Sequence, residues 1–358
     1  GSLLGTIDRT VTAAGGRLLE RRISAPSMDM DVINERHNSL QFLRDNFNLS
    51  EPVMALLKSI PDLERALSRV SLERAGPRDL ANISKGLIQG KEIASLFKNH
   101  ELPAELKLAL EKLTGHDEIS STLEKAIVPE PPLLVRDGGF VTEQFNSELD
   151  ETRELKRDGT KIIAEMQRDF IEITGIQSLK IKFNNVLGYF IETTAKNAEK
   201  LQNSTIAGNF IHRQTTANQM RFTTLSLSDT ETKIINANAK ALEIEKQIFN
   251  ELSALIIQNF EKISAAAEAL AVIDITNSLA TLARDEEWCR PTIDGSKAFA
   301  IQGGRHVVVE SALKNNGNSF IPNDCELSKG SIWLITGPNM AGKSTFLRQN
   351  ALIAILSQ

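Results

Sequence analysis

From residue 1 to about residue 128, apolar residues recur at three- and four-residue steps, as in Leu63, Leu67 and Val70 or Ile83 and Leu87. That spacing lines one face of an α-helix. Pro26, Pro52, Pro61, Pro77 and Pro103 cut the stretch into short helices, whose apolar stripes must be buried on one another, so a helical bundle without chemistry of its own is expected. Pro129-Glu130-Pro131-Pro132 breaks the pattern and Arg136-Asp137-Gly138-Gly139 adds a turn. A second helical run follows over 147–174, with Ile162, Ile163, Met166, Phe170 and Ile173 at helical spacing and Gly175 as its stop.

Beyond Gly175 the period changes. Leu179, Ile181 and Phe183 alternate with Lys180 and Lys182, Asn184-Asn185 makes a turn, and 186–193 is rich in β-branched and aromatic residues, which predicts a β-hairpin. Helix returns at Ser228-Asp229-Thr230-Glu231, read as a capping box. Ile234, Ala237, Ala241, Ile244, Ile248, Leu252 and Leu255 then form a stripe near coiled-coil period. With one shift of face it continues toward Leu282, about 50 residues or roughly 80 Å of helix. The simplest geometry sends one helix out, places a small β-domain at the tip and returns along the other. After Cys289-Arg290-Pro291 a new, unfinished α/β domain is expected, with Val307-Val308-Val309 as a strand, 320–324 as a loop and 331–336 as a buried strand holding Trp333.

Composition narrows the classes. The 358 residues are 41% hydrophobic and 24% charged, which excludes a disordered, collagen-like or disulfide-scaffold chain. The net charge of −5 excludes a uniformly basic coat. Between 176 and 228, however, six basic residues (Lys180, Lys182, Lys196, Lys200, Arg213, Arg221) face two acidic ones, Glu192 and Glu199, so positive charge gathers in the β-rich insert. Cys289 and Cys325 form neither a zinc motif nor a redox pair, and a reducing compartment fits. No continuous apolar run of the ~18 residues of a membrane span is read, and residues 1–9 lack a signal peptide's pattern, so a cytoplasmic protein with no membrane partner is expected. His37, His100, His116, His212 and His306 have no metal or triad spacing, and no catalytic residue is assigned. The first residue is not Met, and 351–358 stop inside an apolar helical pattern, so the chain reads as a fragment.

The chemistry is carried by Gly337-Pro338-Asn339-Met340-Ala341-Gly342-Lys343-Ser344-Thr345, a complete G-x-x-x-x-G-K-[ST] loop between an expected strand and an expected helix. Its glycines let backbone N–H groups turn around phosphates and the helix N-terminus adds its positive end. Lys343 would reach the β- and γ-phosphates, and the Ser344 hydroxyl would bind Mg²⁺; an ordinary glycine turn is the bland alternative. Phosphoryl transfer also needs an acidic Mg²⁺ ligand and a group that orients water, neither of which can be placed after Lys343, so the chain alone is expected not to hydrolyse ATP.

At this loop the sequence resembles the MutS family of DNA mismatch-repair ATPases, which typically has Gly where Ala341 stands. Asp8-Arg9-Thr10 with Gly15-Gly16-Arg17-Leu18-Leu19, Leu187-Gly188-Tyr189-Phe190-Ile191 and Gly304-Arg305-His306 are also similar to the family, although Val307 replaces its usual Pro. The resemblance implies a mainly α fold: core and lever helices with long antiparallel arms, an inserted small β-rich clamp domain and the start of an α/β P-loop ATPase domain. The implied divisions are core and lever over 1–150, arm and clamp over 151–228, returning lever over 229–290 and ATPase from 291 to 358. It implies ATP or ADP with Mg²⁺ as cofactors, Phe320 stacked on adenine (or, alternatively, plugging a strand edge), and double-stranded DNA as a partner. A homodimer, a MutL-type downstream partner and a bacterial cytosolic location are implied as well. The family's mismatch-reading domain and later acidic motif are absent from this sequence.

A clamp needs cations that neutralise phosphates without reading bases. Lys180, Lys182, Arg213 and Arg221 are the candidates, with Gln214, Thr215 and Asn218 as neutral phosphate donors; a merely solvated basic surface is the alternative. Two other readings stand beside the family: a coiled-coil, chromosome-structuring or transport P-loop ATPase, and a small-molecule kinase. The late position of the loop and the basic β-tip argue against the first, and the lack of a substrate lid against the second.

Overall fold

The computed structural model describes residues 1–184, 186–203, 210–328, 330–339 and 341–358. The chain is mostly helical with a small antiparallel sheet and forms two compact units, one of residues 1–75, 79–124 and 254–358, the other of 76–78 and 125–253.

The first unit opens with α1 (Leu3–Ile7), α2 (Ala13–Ser24), α3 (Met30–Asp45), α4 (Ser50–Ser59), α5 (Leu63–Ser71), α6 (Pro77–Leu96), α7 (Ala104–Lys112) and α8 (Asp117–Ala126). The prolines punctuate as expected: Pro52 and Pro77 stand in the first turns of α4 and α6, where a missing N–H costs nothing, and Pro26, Pro61 and Pro103 fall between helices. Leu63, Leu67, Val70, Ile83 and Leu87 are all buried. At the centre lies a helix from the other end of the sequence, α12 (Phe260–Asp285), which packs on α2, α3, α4, α5 and α7. Its small residues Ala266, Ala267, Ala269, Ala271 and Ala280 let neighbours approach on several sides. By length and mean hydropathy α12 could cross a membrane, although Glu268 and Asp274 interrupt its apolar residues, so it is not a continuous apolar run. Its apolar window is 72% buried within the protein, as for a core helix.

Beyond α12 lie β5 (Phe299–Gly304), α13 (Val307–Asn315), β6 (Asn323–Leu327) and α14 (Lys343–Leu356), with β5 and β6 paired antiparallel. Three expectations are corrected. Val307-Val308-Val309 is the first turn of α13, not a strand: the His306 side chain caps it, with Nδ1 accepting from the Val309 N–H at 3.3 Å, and a cap can override β-branched preference. Val307 holds the first helical position, where proline is equally at home, which accounts for the family's Pro. Asn323 and Asp324 belong to β6 rather than to a loop. Residues 331–336 form no strand, and Ile332 and Leu334 are 94% and 89% exposed. A buried strand exists only through paired neighbours and covered faces, and no described residue pairs with this segment.

In the second unit α9 (Ser147–Thr174) matches its expected span and ends at Gly175, whose φ of +65° supplies the left-handed cap. The sheet is antiparallel throughout, in the order β1 (Lys180–Asn184), β2 (Gly188–Thr194), β4 (Gln219–Thr223), β3 (Ile211–Thr215), and α10 (Ala195–Asn203) follows β2. The expected hairpin is β1–β2; Asn185 of its turn lies outside the described residues. Helix α11 (Leu225–Gln258) starts earlier than the capping box implied: the Thr224 hydroxyl, not Ser228, accepts the Leu227 N–H at 3.1 Å, and Glu231 instead accepts from the Tyr189 N–H at 3.1 Å. Asn259 separates α11 from α12, so the expected continuous rod is two helices. Met166 meets Thr230, Gly159 meets Ile234 and Arg153 meets Glu245, so α9 and α11 lie antiparallel. Ile191 and Phe222 from the sheet, Ala198 and Leu201 from α10, Ile163 from α9, and Leu227 and Ile234 from α11 share one core.

Candidate nucleic-acid interface and phosphate loop

One face of the four-stranded sheet supplies the core; the other carries charge. Cross-strand partners share a face, so the register sets a row across all four strands: Lys180 opposite Glu192, Glu192 opposite Arg221, Arg221 opposite Gln214. Period two puts Lys182 on the same face as Lys180. Lys182 Nζ donates to Glu192 Oε1 at 2.5 Å, Arg221 Nε donates to Oε2 at 3.2 Å, and another Arg221 nitrogen donates to Gln214 Oε1 at 2.8 Å. The Arg221 guanidinium also lies 4.6 Å from the Phe190 ring centre, a cation–π contact. With its NH₂ turned toward the carboxylate, the Gln219 amide donates to both Glu192 oxygens at 3.0 Å.

Four of the candidate DNA-contact residues therefore share one face: Lys180, Lys182, Gln214 and Arg221. The other three do not join the row. Arg213 sits exposed at a bulge in β3, and Thr215 faces the opposite side, where its hydroxyl lies 2.9 Å from His212 Nε2. Asn218 stands in the β3–β4 turn, where its carbonyl accepts the Ala195 N–H at 3.4 Å. Lys180 and Arg213 hold no ion pair among the described residues.

Glu192 is the residue that sequence reasoning missed; it counted only as one of two acidic positions. The signal was there, because Ile191 points into the core and its neighbour must share the lysine face. Its side chain is buried, which alone would raise its pKa, but hydrogen bonds from Lys182 and Arg221 outweigh burial and hold it below the usual carboxylate range. At the other end of β2, opposite Asn184, glycine is required at 188: with φ of +71°, any Cβ would lie 1.6 Å from Glu231 Oε1 of α11.

In the other unit, the loop over 337–345 delivers its glycine to the start of α14. Gly342 takes a left-handed conformation with φ of +88°, and its carbonyl accepts the first helical bond, from Phe346 N–H at 2.9 Å. The N–H groups of Lys343, Ser344 and Thr345 thus open the helix without intrahelical acceptors, the arrangement that receives anions. Lys343 Nζ folds back onto the Gly337 carbonyl. Gly337, Pro338, Asn339, Ala341 and Gly342 are exposed, while Met340 lies outside the described residues. Ala341 does not have positive φ, so its methyl is accommodated where the family carries Gly. Phe320 is half-buried ahead of β6 and stacks with no other ring among the described residues. Gln349 of α14 is fully buried, with its amide oxygen 3.5 Å from Asn323 Nδ2, which seats the helix on the β5–β6 pair.

The Asp8 and Gly15 stretches have structural partners. Asp8 Oδ1 accepts from the Thr10 N–H and hydroxyl at 2.9 and 2.6 Å, and Arg17 pairs with Asp62 and Glu64. Asp274 of α12 is buried; it accepts from the Thr12 N–H at 2.8 Å, the Thr12 hydroxyl at 2.6 Å and the Val11 N–H at 3.1 Å, and so anchors the start of α2.

Taken together, these features define a predominantly helical protein with an inserted antiparallel sheet, charged on one face, and a glycine-rich loop opening a later helix. Residues 1–280 match the family described as MutS domain III, and residues 333–358 that described as MutS domain V. The DNA mismatch repair protein MutS of Paracoccus denitrificans (strain Pd 1222) is 56% identical over 361 residues, covering 100% of this chain and 41% of that protein. Proteins of the same name from Dinoroseobacter shibae (strain DSM 16493 / NCIMB 14021 / DFL 12) and Ruegeria pomeroyi (strain ATCC 700808 / DSM 15171 / DSS-3) are 53% and 54% identical with the same coverage. The chain belongs to the MutS family, and it spans about two fifths of the length of these relatives. These matches do not favour the chromosome-structuring ATPase or the small-molecule kinase.

Proposed function

We propose that this chain is the central part of an ATP-dependent DNA mismatch-repair protein, in which the small sheet holds the duplex backbone and the loop over 337–345 binds ATP or ADP. The observation that carries the reading is the sheet face on which Lys180, Lys182, Arg221 and Gln214 gather around Glu192, in a chain that matches DNA mismatch repair proteins along its whole length. Lys180, Lys182, Arg213 and Arg221 neutralise phosphates, and Gln214 and Asn218 add neutral hydrogen bonds; Thr215, on the opposite side of the sheet, is left out of the interface. Phosphate contacts position a protein on DNA without reading sequence, so this sheet holds matched and mismatched duplex alike.

At the loop, the backbone N–H groups of Gly337, Asn339 and Gly342 and those at the start of α14 cradle the phosphates, Lys343 leaves the Gly337 carbonyl for them, Thr345 completes the turn and Phe320 stacks on the base. The exposed loop and the free N–H groups of the first helical turn fit a nucleotide phosphate. Mg²⁺, held in part by the Ser344 hydroxyl, would offset phosphate charge when bound. Within the family frame we assign 1–150 to core and lever, 151–228 to arm and clamp, 229–290 to the returning lever and 291–358 to the start of the ATPase domain. Nucleotide binding is coupled to the clamp's state in a homodimer that recruits a MutL-type partner in the bacterial cytosol.

Two measurements test the reading. Lys343→Ala should abolish binding of a fluorescent ATP analogue while circular dichroism stays the same; equal binding sinks the loop assignment. Lys180→Met with Arg213→Gln should weaken duplex binding, measured by fluorescence anisotropy, equally for matched and mismatched DNA. It should also flatten the salt dependence by about 0.9 per contact, and an unchanged slope sinks the DNA assignment.

A further inference from the structure

A carboxylate in the middle of a phosphate-holding face works against its task, because it repels phosphate and neutralises the cations beside it. Glu192 occupies that place with only 4% of its surface exposed. Its oxygens are fully engaged: Oε1 by Lys182 at 2.5 Å, Oε2 by Arg221 at 3.2 Å, and both by the Gln219 amide at 3.0 Å. Planar and anionic, with cations on each side, it takes the place that a phosphate would take. The other two candidate cations, Lys180 and Arg213, have no such partner among the described residues.

We propose that Glu192 is an internal phosphate mimic that sets how firmly the sheet holds duplex DNA: it keeps Lys182 and Arg221 partly discharged and leaves Lys180 and Arg213 as the full-strength contacts. The hold is then strong enough to keep DNA on the face and weak enough to be released. The inference rests on the proposed backbone-holding role of the sheet. The geometry separates two classes of cation that composition counts as one. A cation already neutralised within the protein releases fewer counterions when it meets phosphate, so it adds less than the usual ~0.9 to the salt slope. A purely structural Glu192 would brace the strands and leave that slope alone.

The test is duplex binding by the full chain from 50 to 200 mM salt, read by fluorescence anisotropy, with thermal unfolding followed in parallel. Glu192→Gln keeps the shape and removes the charge. It should bind more tightly at low salt and steepen the slope by about 0.9 to 1.8, an extra loss of roughly 3- to 12-fold in affinity across that range. A folded Glu192→Gln variant with an unchanged or flatter slope overturns the proposal. If Glu192→Gln does not fold, Lys182→Met decides: it should lose less than half the slope lost by Lys180→Met, and an equal loss overturns the proposal. If Lys180→Met and Arg213→Gln both leave the slope unchanged, the backbone-holding reading itself fails, which is a different result from either of these.

Discussion

Two buried carboxylates in this protein titrate in opposite directions, and their partners say why. Asp274 is desolvated, which raises its pKa, and although Thr12, Val11 and Ser278 donate hydrogen bonds to it, no cation among the described residues does. Glu192 is desolvated too, but Lys182 and Arg221 reverse the balance and lower it. The consequences for stability differ in sign. Glu192 binds protons less readily folded than unfolded, so its contribution is present above the ordinary carboxylate pKa near 4 and is lost as pH falls through its folded value. Asp274 binds protons more readily folded, so its contribution is present at lower pH and is lost as pH rises through its folded value. Carboxyl ¹³C NMR titration should place the Glu192 midpoint below the usual range and the Asp274 midpoint above it. Coincident midpoints near 4 would contradict both environments.

The elements show which parts of a sequence speak for themselves. Helix α9 was legible to the residue because its signals are local: a stripe at helical spacing and Gly175 at its end. The β1–β2 hairpin was legible for the same reason, a change of period from helical to two. The start of α11 was not, because Ser228-x-x-Glu231 and Thr224 both look like caps and tertiary contact chose between them: Glu231 is drawn to Tyr189. Thr224→Ala should therefore cost about 1 kcal/mol of stability, whereas Ser228→Ala should change it by less than about 0.5 kcal/mol, both read by urea unfolding. The reverse order would restore the capping box. Gly159 presents the same lesson in packing. A glycine inside a helix is unfavourable by roughly 1 kcal/mol relative to alanine, yet here a Cβ would lie 2.4 Å from Ile234 Cγ1 of α11. Gly159→Ala should thus lose stability despite its better helix propensity, by about 1–3 kcal/mol as for overpacking, and Ile234→Ala in the same chain should recover part of that loss. The network around Glu192 was hidden because it is a property of register: no single strand reveals that Lys180, Glu192, Arg221 and Gln214 stand in line.

For the molecule as a whole, what could not be read locally is what depends on distant partners. Residues 331–336 have the composition of a buried strand, and the match to MutS domain V begins within them, at residue 333. In this chain, however, they pair with nothing described, and Ile332, Trp333 and Leu334 are exposed. A run of β-forming apolar residues facing water is costly, and its cost falls only when neighbouring strands and covering helices are present. Trp333 gives a direct readout because the only other tryptophan, Trp288, packs against the core of α1, α2 and α12. In a Trp288→Phe variant of this chain, the remaining indole should emit at the long wavelength of a hydrated tryptophan and be quenched readily by iodide. In a Trp333→Phe variant, Trp288 should emit at shorter wavelength and be quenched less. If Trp333 is instead shielded from iodide in this chain, residues 331–336 have found partners of their own and are not the exposed segment described above.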